Sequence, residues 1–198
     1  MIQPQIHLAS SSPRRRELLA GLGISFSHAG VDLDESRNAG EPVDDMVMRL
    51  AREKAFAVDR TQYGGIPVLA ADTVVVLADQ VFGKPRSKEE ALAMLAALSG
   101  QSHRVLTAVA LIYDDELGTA MSTTEVQFRD INPDEALAYW QSGEPAGKAG
   151  AYAIQGLGGI FVESLQGSYS GVVGLPVFET AALLRQAGID VLDRQKAT

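Results

Sequence analysis

Asp72 stands inside the run V-L-A-A-D-T-V-V-V-L, Val68–Leu77, among apolar and largely β-branched neighbours. Such a run reads as a strand buried on both faces. A carboxylate there is costly unless a cation meets it. Either Asp72 faces a metal or a basic group, or the strand opens onto a cleft at that point. The bland alternative is an aspartate that caps a neighbouring loop. A second cluster is S-S-S-P-R-R-R, Ser10–Arg16. Serines ahead of a helix start, with arginines beside the unpaired N–H groups of its first turn, make an anion site. Cations in a first turn oppose the helix dipole by roughly 0.3–1 kcal/mol each. Together they make more sense with an anion in front of them than as a merely solvated helix end, which stays the alternative. On the helical wheel set by Leu18, Leu19 and Leu22, Arg15 falls nearest the apolar face, Arg14 on its flank and Arg16 largely opposite. Arg14 and Arg15 are therefore the pocket candidates, and Arg16 reads as solvated.

Lys54 lies in the apolar stripe Val47, Leu50, Ala51, Val58 of a predicted helix. A lysine there either snorkels out or meets an anion. Its neighbours Arg49, Arg52 and Glu53 fall off the stripe and read as surface charge. Lys84, framed by Gly83 and Pro85 in F-G-K-P, leaves a constrained turn and suits phosphate contact, although turns often carry exposed lysines. The loop D-L-D-E offers Asp32, Asp34 and Glu35 as hard oxygen ligands for magnesium or manganese, or as plain solvated charge. In Y-A-I-Q-G-L-G-G, Tyr152–Gly159, the glycines permit close backbone approach, and Gln155 has both donor and acceptor for a base edge. His7, His28 and His103 are far apart without ligand spacing and read as structural. No Walker-type G-x-x-x-x-G-K and no serine–histidine–acid set can be assembled. Cations, a buried carboxylate and an acidic loop together point to a phosphorylated ligand with a divalent metal.

The elements that would hold these groups mix strands and helices throughout. Short strands are predicted at Gln5–Ala9 and Ile24–Ala29. Between them a helix over Arg14–Leu22 has Ser12 as N-cap and Pro13 at its first position, and Gly23 stops it. A long amphipathic helix follows at Val43–Val58. Val68–Leu77 and Val81–Phe82 read as strands around a turn near Asp79. Ser87–Leu98 reads as a helix with a Ser87/Glu90 capping box. His103–Tyr113 and Thr119–Phe128 are a strand pair around the acidic turn Asp114–Gly118. Asn132, Pro133 and Glu135 open a helix through Gln141. Gly143–Gly159 is a glycine-rich functional loop, Ile160–Leu165 a strand, and Pro176–Gln186 a closing helix. The pattern predicts an α/β fold with a mixed sheet flanked by helices.

The chain has 198 residues, 46% of them hydrophobic, which suits one globular domain over 1–198, with room for two lobes. With no cysteine, disulfides, thiolate chemistry and cysteine-rich zinc sites are excluded. A formal charge of −8 argues against non-specific nucleic-acid binding but not against a small polyanion in a locally basic pocket. No apolar run reaches the roughly 20 residues of a membrane span, and M-I-Q-P-Q-I-H-L lacks the basic start of a signal peptide. The expectation is a soluble cytoplasmic protein with no nucleic-acid or membrane partner.

The motifs L-A-S-S-S-P-R-R-R-E-L-L, L-A-R-E-K-A, A-A-D-T-V-V, G-K-P, L-S-G-Q-S-H-R-V-L-T-A-V, K-A-G-A-Y-A-I-Q-G-L-G-G and G-S-Y-S-G-V-V-G-L-P, in this order from Ile6 to about Leu184, closely resemble the Maf family of nucleoside triphosphate pyrophosphatases. A-D-T and Y-x-I-Q-G are the pattern of its dTTP/UTP branch. The sister branch acting on 7-methyl-GTP differs at the positions of Thr73 and Gln155. The resemblance implies a mixed-sheet α/β fold with two lobes around a cleft, of inosine-triphosphatase-like architecture and usually dimeric. It implies that Asp72 is the proton acceptor and stands near the metal, and the mechanism expected here has Glu35 and Asp72 hold a Mg²⁺ or Mn²⁺. It links Arg14, Thr73 and Gln155 to substrate choice and matches Ser10, Arg15, Glu35, Lys54 and Lys84 to the polar lining of the catalytic cleft, where Ser10, Arg15, Lys54 and Lys84 are expected to bind the phosphates. Ser11 and Arg16 are an extra serine and arginine beside the family pattern, and neither removes a key group. The expected activity is hydrolysis of dTTP and UTP, with modified pyrimidine nucleotides as further substrates, to the monophosphate and pyrophosphate. The alternatives are a pyrophosphatase for another base, such as 7-methyl-GTP, or a non-catalytic nucleotide-binding regulator of division.

Overall fold

Runs of β-branched and apolar residues alternate with capped amphipathic segments, and the computed structural model, which describes residues 3–193, turns that alternation into a single mixed sheet with helices. In chain order the elements are β1 (Ile6–Ala9), α1 (Pro13–Gly21), β2 (Phe26–Ala29), α2 (Val43–Phe56), β3 (Val68–Leu77), β4 (Gln80–Phe82), α3 (Lys88–Leu98), β5 (Ser102–Tyr113), β6 (Glu116–Phe128), α4 (Pro133–Gln141), β7 (Val162–Gln166), α5 (Tyr169–Val173) and α6 (Val177–Gln186). Short 3₁₀ turns occupy Arg60–Tyr63, Ala149–Ala151 and Leu157–Phe161. The strands lie in the order β2-β1-β3-β5-β6-β7, with β4 pairing with β3. β1 runs parallel to β2 and β3, while β3–β4 and β6–β7 are antiparallel. The expected α/β class and mixed sheet are therefore observed.

Local chemistry sets the element ends. In α4 the full capping box forms: Asn132 Oδ1 accepts from Glu135 N at 2.9 Å and Glu135 Oε2 accepts from Asn132 N at 3.1 Å. In α3 only half of the expected box forms. Ser87 Oγ accepts from Glu90 N, but the Glu90 carboxylate turns to the backbone N–H and guanidinium of Arg86. Ser12 occupies the N-cap of α1 without a side-chain cap bond; the hydroxyl that takes its N–H belongs to Ser10, at 3.2 Å. β7 starts at Val162 rather than Ile160 because the glycine-rich approach winds into the 3₁₀ turn Leu157–Phe161.

Residue contacts divide the chain into two units. The first takes residues up to Asp72, Thr107–Ser122 and those from Gly174 onward; the second takes Thr73–Leu106 and Thr123–Val173. The first has its own core of Ile6, Leu8, Leu19, Leu69, Leu175 and Leu184. The second is built on Leu95, Leu98, Phe128, Tyr152 and Phe161, with Phe128 and Tyr152 meeting edge to face at 4.8 Å between ring centroids. The three histidines make packing and hydrogen-bond contacts. His7 packs on Tyr63 and shares a hydrogen bond with Ser27 Oγ, His28 meets Arg16, and His103 Nε2 lies 2.9 Å from Tyr152 Oη. No helix among the described residues is long and apolar enough to cross a membrane.

Candidate active site

Parallel strands present their carboxyl ends on one side, and in open α/β sheets ligands gather there. In the first unit β1 and β2 end level, Ala9 opposite Ala29. β1 then runs through Ser10 into α1, and β2 runs into the segment that carries Glu35. β3 is in register with β1 through Leu8 and Leu69, so Asp72 projects past the end of β1. Ser10, Glu35 and Asp72 thus belong to the same end of the β2-β1-β3 ladder. Lys54 comes from α2, on whose buried face it lies with Val47, Leu50 and Ala51.

Lys54 does not snorkel. Its side chain is buried, and its ammonium donates to Glu35 Oε1 at 2.5 Å and to Asp72 Oδ1 at 2.6 Å. Asp72, 5% exposed, has therefore met its cation inside the strand rather than capping a loop. One ammonium bridging two carboxylates brings both to a point. Of the three acidic loop residues, Glu35 alone is bonded to Lys54. Asp34 instead accepts from Ser36 N at 2.9 Å, which holds its pKa below the usual carboxylate range.

Arg15 is held beside Ser10. Its Nε donates to Gly174 O at 2.8 Å and its Nη1 to Ser10 Oγ at 3.4 Å. Burial pushes this guanidinium down; the fields of Asp72 and Glu35 push it up, and Arg14 works with the burial. Arg15, which helical geometry favoured, and Arg14, which the family motif favoured, are electrostatic neighbours. Arg16 is not simply solvated: its Nη1 lies 3.1 Å from His28 Nε2 on β2.

Arg49, by its position off the apolar stripe an ordinary surface charge, is instead half-buried in a network of bonds. It donates from Nε and Nη2 to the Glu41 carboxylate at 2.7 and 2.8 Å, from Nη1 to Glu53 at 3.0 Å, and from Nη2 to Ser36 O at 3.1 Å. Ser36 follows Glu35 directly, so Arg49 ties the Glu35 segment to α2. The bond from Arg49, working against some burial, holds the Glu41 carboxyl down to about 2.

Thr73, Lys84 and Gln155 belong to the second unit. Thr73 is half-buried on β3, next in sequence to Asp72. Lys84 is exposed after β4, where Gly150 N donates to Gly83 O at 3.1 Å and fixes the turn before it. Gln155 is exposed in the loop before the 3₁₀ turn at Leu157. Among the described residues no three acidic or histidine side chains gather as a metal-ligating set. Glu35 and Asp72 are nevertheless hard oxygen donors converging on one cation, and magnesium is commonly held by one or two carboxylates with phosphate oxygens and water completing its shell. The residues present fit such an ion.

Fold and site together define an α/β protein that gathers Ser10 with Arg15, and Glu35 with Lys54 and Asp72, at the carboxyl ends of its parallel strands. The family model described as Maf-like protein matches residues 5–187, and the chain belongs to that family. The dTTP/UTP pyrophosphatase of Methylococcus capsulatus is 52% identical over 182 residues, 92% of this chain and 90% of that one. The protein of the same name from Saccharophagus degradans is 50% identical over 182 residues, 90% and 87% of the two chains. That from Bordetella avium is 50% identical over 194 residues, 94% and 96%. A solved structure, that of the Staphylococcus aureus Ham1 protein, overlaps 62% of this chain and 71% of that one with a TM-score of 0.42 and 15% identity, a likeness too slight to carry an argument.

Proposed function

We propose that this protein hydrolyses dTTP and UTP between the α and β phosphates, releasing the nucleoside monophosphate and pyrophosphate. The observation that carries the reading is the Lys54 ammonium held between Glu35 and Asp72, on the same strand ends as the Ser10–Arg15 anion site. It is supported by relatives of about half identity over nearly the whole chain, each named dTTP/UTP pyrophosphatase. Ser10, Arg14, Arg15 and Lys84 receive the phosphates, and Lys54 joins them from the carboxylate side. Their charge reverses the repulsion of a chain with net charge −8 and stabilises charge developing on the leaving group. Asp72 orients a water and takes its proton as the water oxygen bonds to the α phosphorus. The bond from that phosphorus to the bridging oxygen breaks, and pyrophosphate leaves with the electron pair. Glu35 and Asp72 would hold a Mg²⁺ or Mn²⁺, which when bound neutralises phosphate charge and acidifies water. Gln155 and Thr73 read the pyrimidine, and Arg14 assists in substrate choice. A hydrogen-bonding site rejects mismatched bases strongly because its polar groups are left unpaired. The same reading has the enzyme act in the cytoplasm on nucleotide pools, as a homodimer whose mass light scattering reports.

The test is pyrophosphate release from dTTP, UTP, CTP, purine triphosphates and 7-methyl-GTP, with and without magnesium. Preference for dTTP and UTP is expected, and Asp72→Asn should lower turnover by about 10²-fold or more. Preference for 7-methyl-GTP, or full turnover by Asp72→Asn, refutes the proposal.

A further inference from the structure

The loop that presents Gln155 is anchored before that residue by Tyr139 and after it by Glu144, two side chains that touch each other. Tyr139, buried on α4, donates its hydroxyl to Glu144 Oε1 at 2.7 Å and accepts the backbone N–H of Ala153 at 3.1 Å. Glu144 takes the next two N–H groups beyond Gln155 and Gly156: Leu157 N on Oε2 and Gly158 N on Oε1, both at 2.9 Å. Gln155 is thus bracketed, two residues before it and two after, by a tyrosine and a glutamate in contact with each other. The glycines are shaped to this pair. A Cβ on Gly156 would stand 2.1 Å from Glu144 Oε2, and one on Gly158 would stand 2.5 Å from Tyr139 Oη. Burial works against the Glu144 carboxylate, but the N–H of Gly158, the Tyr139 hydroxyl and the N–H of Leu157 outweigh it and hold its pKa below the usual range. The ring of Tyr139 is itself fixed, edge-on to Phe161 at 5.1 Å between centroids.

A fully ordered acceptor pair under a segment whose own exposed side chain is Gln155 is more than a loop needs to stay closed. We infer that Tyr139 and Glu144 are positioning residues for base selection: they set the height and direction of the Gln155 amide and so determine which base edge it meets. The inference rests on the proposed action on pyrimidine nucleotides. Base choice depends on a side chain held within fractions of an ångström, and the backbone that aims Gln155 takes its geometry from α4.

The test uses the full chain and two near-isosteric variants, Glu144→Gln and Tyr139→Phe, with Gln155→Ala for comparison. The wild-type nucleotide panel decides the underlying reading by itself. The variants decide the inference, through the ratio of kcat/KM for the preferred nucleotide over CTP and GTP. Hydrogen exchange of the amides in residues 153–158 is read on the same samples. Glu144→Gln should lose protection at Leu157 and Gly158 and lower the selectivity ratio about tenfold, mainly through KM of the preferred nucleotide. Adding Gln155→Ala to it should cost little more, because both changes remove one interaction. Unchanged amide protection overturns the inference. So does lost protection with intact selectivity, an equal fall for all nucleotides, or a double variant whose losses multiply. If the wild type shows no turnover, the underlying reading fails; the exchange result still decides whether the pair positions the loop, and unchanged protection then overturns the inference as well.

Discussion

Lys54→Met removes the ammonium while keeping most of the side chain's volume on the buried face of α2. Asp72 is 5% exposed, and without Lys54 its carboxylate loses the 2.6 Å bond inside β3. Breaking a buried pair by deleting one partner costs about 3–5 kcal/mol. Glu35 is more exposed and can turn to water, so the lower end, about 3 kcal/mol, is expected. In a chain of this size that corresponds to a fall in Tm of about 6–12 °C. Asp72→Asn should cost less, about 1–2 kcal/mol, because Lys54 keeps Glu35 at 2.5 Å. The double variant Lys54→Met/Asp72→Asn leaves neither charge stranded, so the two costs should fall short of adding by about 2 kcal/mol. Urea unfolding followed by far-UV circular dichroism on the four proteins measures this cycle. A loss below about 1 kcal/mol for Lys54→Met, or additivity within about 0.5 kcal/mol, refutes the reasoning that the ammonium is what makes a buried Asp72 tolerable.

Lys84→Ala should raise KM for the triphosphate severalfold with circular dichroism unchanged, since the side chain is exposed and its turn is held by backbone; steady-state kinetics decides. Arg49→Ala should lower kcat/KM about tenfold by releasing the Glu35 segment. Arg49→Lys should not rescue it, because an ammonium cannot reproduce the fork on Glu41. His103 is buried against Tyr152, and desolvation lowers its pKa from 6.5 to about 4. Its unfolded form binds a proton first as pH falls, so its contribution is complete above about 6.5 and drains away between there and 4. The loss at pH 5 is about 2 kcal/mol. His103→Gln should flatten that part of the stability–pH curve in urea titrations.

Asp72 and Lys54 were legible because each breaks the pattern of its own element, a carboxylate in a strand with both faces buried and a lysine in the apolar stripe of a helix. A broken pattern states that a partner exists without naming it. The register of β1 on β3 and the path of the chain after β2 supply Glu35 and Asp72 as the partners of Lys54. Arg49 was misread for a related reason. Helical periodicity sees neighbours three and four residues away, whereas the Glu41 that Arg49 holds lies eight residues back on another segment. Ser12 has the right type and place for a cap, yet its side chain makes no cap bond, and its own N–H is taken by Ser10 Oγ. Tyr139 and Glu144 gave no signal beyond a carboxylate near glycines, because their partners are backbone amides up to fourteen residues away.

The placement of Lys54 also decides how charge is divided in the site. Bridged by one ammonium, the Glu35 and Asp72 oxygens that accept from it lie within about 5 Å of each other, where two carboxylates repel by about 3 kcal/mol at a typical effective dielectric. Lys54 overcomes that repulsion, yet one positive charge between two negative ones leaves the trio net negative. A net negative charge of this kind favours a divalent cation nearby. Two of the bonds made by Arg15 run to neutral acceptors, Ser10 Oγ and Gly174 O, which orient the guanidinium. Arg15 sits in the field of Asp72 and Glu35, so positive and negative side chains act on one another at these strand ends.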